Sequence, residues 1–83
     1  MNIRKNIAIS ENGFIFNPIT GDSFSVNETG LFVLRKLKEG INNESILQAM
    51  QEEFELDRNS AELDLHDFLT MLKSYQLTEY EEE

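Results

Sequence analysis

The 83-residue sequence has no cysteine, no tryptophan, one proline, one histidine and four glycines. Without cysteine, disulfides and thiolate metal sites are excluded, and a reducing cytoplasm is the expected setting. With a single histidine, His66, only one side chain has an ordinary pKa near neutrality, and no serine or cysteine partner completes a nucleophile–base pair. The scattered glycines form no phosphate-cradling loop. No apolar run approaches the roughly 18–20 residues that cross a bilayer, so a membrane partner is not expected. The N-terminus, MNIRKNIAIS, is basic, but its apolar part is too short for a secretory h-region.

Positive charge is also scarce. Seven Lys and Arg face sixteen Asp and Glu, for a net charge of −9. The imbalance is uneven, with residues 1–43 at +1 and residues 44–83 at −10. Phosphates would be repelled by the second half, so nucleic acid is not an expected partner, while a basic peptide would be attracted. The carboxylates Glu52, Glu53, Glu55 and Asp57 invite a metal reading, and DRNSAELDLHDF starts like a calcium loop. That loop needs a glycine where Glu62 stands and a glutamate where Phe68 stands, so the match fails. No metal, cofactor or independent catalytic activity is expected. The third-helix acids also argue against DNA reading, which needs Arg and Lys at the groove.

The patterns that are present divide the chain in two. Residues 1–26 alternate apolar and polar, with Ile7/Ile9, Phe14/Phe16 and Phe24/Val26 expected on one buried face. Asn12-Gly13 is a two-residue hairpin signal, and NPITGD, with Pro18 and Gly21, marks a second turn. After Asn27 the period shifts to about 3.6. Asn27 caps a helix carrying Leu31, Val33, Leu34 and Leu37, with Gly40 just past its end. Gly30 lies inside that helix's first turn, where glycine costs about 0.5–1 kcal/mol, and close approach of the helix to the sheet would explain it. Asn43 is expected to cap a second helix (Ile46, Leu47, Met50, Phe54). Asn59 is expected to start a third (Ala61, Leu65, Phe68, Leu69, Leu72), with Glu62 in a reciprocal capping pattern. Leu77 returns to the core, and TEYEEE is expected to fray.

The expected fold is therefore α+β: a three-stranded antiparallel sheet followed by three helices, winged helix-turn-helix-like. Residues 1–78 are expected to form one domain and 79–83 an acidic tail. One border of the third helix's apolar stripe holds Asp64, Phe68, Met71 and Tyr75, with Asp67 farther out. The other holds Glu62, His66, Thr70 and Lys73.

Read in order, these features resemble the PqqD-like domains, or RiPP recognition elements. The matching residues are the turn from Asn17 to Gly21, the junction VNETG (Val26 to Gly30), and Gly40 with Asn43–Ile46. DLHDFLTML (Asp64 to Leu72) and Leu77 complete the series. The resemblance implies a winged-helix domain that binds the leader of a ribosomally made precursor peptide and presents it to a maturation enzyme, such as a radical-SAM enzyme. It also implies that the leader adds as a strand beside the third strand and lies against the third helix. In this sequence the docking edge would be Asp22, Ser23, Phe24, Ser25 and Val26, and the groove wall Asp64, Asp67, Phe68, Met71 and Tyr75. An edge strand's unpaired N–H and C=O groups suit that role. The alternative is a winged-helix regulatory or protein-interaction module without a peptide-chaperone role.

Overall fold

A computed structural model describes residues 2–79. The chain runs β1 (Ala8–Ile9), β2 (Phe14–Asn17), β3 (Asp22–Ser25), α1 (Glu28–Lys38), α2 (Asn43–Phe54) and α3 (Arg58–Ser74). The strands form one antiparallel sheet in the order β1-β2-β3, so the expected α+β meander and three helices are present. One hydrophobic cluster joins the layers. Ile7 and Ile15 come from the sheet side, Leu34 and Leu37 from α1, Ile46 and Met50 from α2, and Leu65 and Leu72 from α3.

The facing of β2 differs from the expectation. Ile15 and Asn17 point inward and are almost fully buried, whereas Phe14 is 57% and Phe16 45% exposed. The reason is loop length. Ile9 pairs with Ile15, which leaves three residues, Glu11–Gly13, in the turn rather than two. Gly13, at φ +88°, donates its N–H to the Ser10 carbonyl, as in a three-residue hairpin whose last loop position is left-handed. A one-residue change of register moves every side chain of a strand to the other face. Ile9 and Phe24 both sit opposite Ile15, so with those two inward Ile15 must follow. Asn17 tolerates burial because its Oδ1 accepts the Ile19 N–H and its carbonyl accepts the Gly21 N–H.

The helix ends are set by local hydrogen bonds. Asn27 Oδ1 accepts the Gly30 N–H at 2.8 Å, as its position implies. The second cap is Asn42, one residue before the expected Asn43, and its Oδ1 accepts the Ser45 N–H. Asp57 caps α3 through the Ser60 N–H, so the helix starts at Arg58 and not Asn59. Glu62 then faces Arg58 one turn back and takes no reciprocal capping role. At the end of α1, the Ile41 N–H reaches the Lys36 carbonyl and the Gly40 N–H reaches Leu37, a Schellman arrangement. The end of α3 repeats it, with Leu77 bonded to Leu72 and Gln76 to Lys73. This bond turns Leu77 back into the core, where it is 1% exposed.

The expected fraying does not begin at Thr78. Ile3 bridges Thr78 in antiparallel fashion, the Arg4 N–H donates to the Leu77 carbonyl, and the Glu79 N–H donates to the Asn2 carbonyl. Ile3 is buried by the same contact. The rest of the expected acidic tail, residues 80–83, lies outside the described residues.

Candidate functional site

β3 is an edge strand, since its only partner among the described residues is β2. Backbone polar groups alternate sides along a strand. The Val26 N–H donates to the Gly13 carbonyl, so Phe24 turns its backbone toward β2 as well. Ser23 and Ser25 therefore present their N–H and C=O groups at the open edge. Their side chains and that of Asp22 are exposed, while Phe24 and Val26 are half-buried against the core. Val26 lies one residue beyond the strand's end but continues its pairing.

Beside this edge, the first turn of α1 and one border of α3 enclose a cavity of about 350 Å³. Asp64, Asp67, Phe68 and Met71 supply the α3 wall, and Met50 of α2 reaches it from below. Asn27, Thr29, Gly30 and Val33 supply the α1 wall. Four of the five expected α3 residues thus share one depression. The fifth, Tyr75, stands at the α3 C-cap outside it and packs against Phe24 with ring centroids 4.4 Å apart and the rings tilted by 43°. That pair ties the edge strand to the end of α3. Asp22 to Ser25 do not line the cavity; its link to the sheet is Val26, just past the end of β3, whose Cβ lies 3.1 Å from where a Cβ on Gly30 would be.

Gly30 is what lets the two walls meet. A Cβ there would lie 2.8 Å from Phe68 Cε1 and 3.1 Å from Val26 Cβ. The close approach expected at Gly30 is real, but the nearest neighbour is the Phe68 ring of α3, with Val26 at the sheet's end second. The α1 residues of the cavity were not among the expected site residues. Their one sequence signal was this glycine in a first helical turn.

The electrostatics of α3 are lopsided. Arg58 holds Glu44 with two hydrogen bonds, at 2.8 and 2.9 Å, and lies 3.6 Å from Glu62. The Arg58 hydrogen bond holds the Glu44 carboxyl below its ordinary value, and the Glu44 hydrogen bond in turn raises Arg58. Hydrogen bonding from Ser60 holds Asp57 low. Among the described residues, neither Asp64 nor Asp67 has a basic side chain within 4.0 Å, the reach of an ion pair. His66 is exposed, and its carbonyl accepts the Thr70 hydroxyl. Among the described residues, no three His, Cys, Asp or Glu side chains cluster as metal ligands, and no helix is long and apolar enough to cross a membrane. A second depression of about 450 Å³ is lined by α1, the end of α2 and Glu11 of the first turn, with charges of both signs and no β3 residue.

The family model for coenzyme PQQ synthesis protein D (PqqD) matches residues 12–77. The chain belongs to the PqqD family. The matched span runs from the first hairpin to Leu77 and so includes β3, the cavity and α3 of this PqqD-family domain. Its structure is similar to that of TbiB1 in complex with the TbiA(beta) leader peptide, at 29% identity and a TM-score of 0.86 over 100% of both chains. It is also similar to lasso peptide synthetase B1 complexed with the leader peptide, at 22% identity and a TM-score of 0.83. That match covers 95% of this chain and 96% of the other, and shows the shared fold. No curated protein sequence matches the chain.

Proposed function

We propose that this PqqD-family domain is a non-enzymatic adaptor that binds the leader of a ribosomally made precursor peptide and presents it to a maturation enzyme. The carrying observation is the open β3 edge running beside a cavity walled by α3. An extended peptide would satisfy the outward backbone groups of Ser23 and Ser25 and place alternate side chains toward Phe68 and Met71. Asp22, Phe24, Val26 and Tyr75 hold and frame the edge, and Asp64 and Asp67 border the cavity. Two solved structures of similar fold, TbiB1 and lasso peptide synthetase B1, are complexes with leader peptides, which supports this reading. The maturation enzyme, a radical-SAM protein or another class, would take the peptide from a domain that supplies no chemistry of its own. A DNA-reading regulator has less support, because the exposed border of α3 offers carboxylates to phosphate.

The test is a titration of the ¹⁵N-labelled protein with the synthetic leader of a candidate precursor peptide. Amide shifts are expected at residues 22–26 and 64–75. Ser25→Pro removes one outward N–H while leaving the β2 pairing intact, and should weaken binding about two- to tenfold, the range for one hydrogen bond's net worth. Shifts confined to α2, or no binding of the leader, would overturn the proposal.

A further inference from the structure

The cavity is apolar below and anionic at its rim. Gly30, Val33, Met50, Phe68 and Met71 form the apolar part, and Asp64 and Asp67 bring two carboxylates to the same depression. Both aspartates are exposed, and no basic side chain among the described residues neutralises either. On the opposite border of α3, by contrast, Arg58 is shared between Glu44 and Glu62. The start of α1 also borders the cavity, and its dipole favours an anion there. That dipole amounts to roughly half a positive charge, and the Asn27 side chain already occupies the Gly30 N–H. Two full negative charges outweigh it, and Glu28 in the same first turn opposes it further.

Resting on the adaptor reading above, we infer that this cavity selects a lysine or arginine of the bound peptide. The aliphatic stem lies across Gly30, Phe68 and Met71, and the cationic end reaches Asp64 and Asp67. Long basic side chains suit such a site, because they cover apolar surface with the stem while the charge stays at the solvated rim. A side chain at Gly30 would push aside the Phe68 ring that forms part of this surface. The leader class is therefore one with a basic residue in register with the cavity, on the strand face that turns toward α3.

The test uses the same synthetic leader, at low salt and at about 0.5 M salt, against the wild type, Asp64→Asn/Asp67→Asn and Ser25→Pro. The double variant is expected to bind about tenfold more weakly at low salt and to lose most of the salt dependence. Replacing one particular Lys or Arg of the leader by Met should cause the same loss on the wild type and little further loss on the double variant. Equal affinity and equal salt dependence for the wild type and the double variant, with Ser25→Pro still weakened, would overturn the inference and leave the adaptor reading standing. Tight binding of a leader with no Lys or Arg would overturn it too. Failure of the leader to bind the wild type would overturn both.

Discussion

On one border of α3, Arg58 is shared between Glu44 and Glu62, and the Thr70 and Ser74 hydroxyls donate to carbonyls of the helix itself. On the other border stand Asp64 and Asp67 without a basic partner among the described residues, beside the half-buried Phe68 and Met71. Both borders flank the same buried stripe of Ala61, Leu65 and Leu72. Core packing therefore does not explain the difference. The first border offers partners to Glu62, Thr70 and Ser74, whereas the second joins a ring, a thioether and two carboxylates around a cavity. The second is the border that the proposed adaptor would use.

The sharpest way to break this comparison is to truncate each border. Phe68 packs against the core and over Gly30, and Phe68→Ala should cost about 2 kcal/mol, below the 3–5 kcal/mol of a fully buried phenylalanine. Thr70→Ala should stay within about 0.5 kcal/mol. Urea unfolding of the two variants measures both, and equal losses would mean that the borders do not differ. A smaller effect is expected at Gly30→Ala. Alanine should gain about 1 kcal/mol in helix propensity, but overpacking costs about 1–3 kcal/mol. The Phe68 ring can swing aside, yet Val26 Cβ is fixed by the strand, so the net should be a loss of about 1 kcal/mol. A double-mutant cycle with Phe68→Leu should show coupling above about 0.5 kcal/mol. A raised Tm for Gly30→Ala would show that the contact does not confine the site.

Much of this contrast could be read from residue order. The change from period two to about 3.6 after Asn27 separates sheet from helices, because the two repeats place apolar residues incompatibly. The α3 wall was legible for the same reason: Asp64, Phe68 and Met71 fall on one helical border by spacing alone. The inward face of β2 was not legible. It turns on one extra loop residue, and Phe14/Phe16 offers a stronger apolar alternation than Ile15/Asn17. Burial of Asn17 depends on its own turn, which satisfies the amide. The caps slipped by one or two residues because Asn42 and Asn43, or Asp57 and Asn59, are equally able acceptors. The α1 wall and the Ile3–Thr78 bridge rest on contacts between distant parts of the chain, which no local pattern encodes.

The smallest expected effect belongs to the closed border and is read by pH. The Arg58 hydrogen bond depresses the folded-state pKa of Glu44 below its ordinary 4.5. A depressed carboxylate contributes stability that is present above the unfolded pKa and is lost as pH falls through the folded value. The stability gap between the wild type and Arg58→Ala should therefore be full at neutral pH and close as pH drops below about 4.5. Asp57 behaves with the same sign but owes its depression to Ser60, so the variant keeps part of the acid dependence. The groups are exposed, so added salt should shrink the gap at pH 7. A gap that stays constant from neutral to acid, measured by urea unfolding at each pH, would show that Arg58 acts through packing and not through charge. The closed border would then not be closed by its ion pair, and the two sides of α3 would differ only in shape.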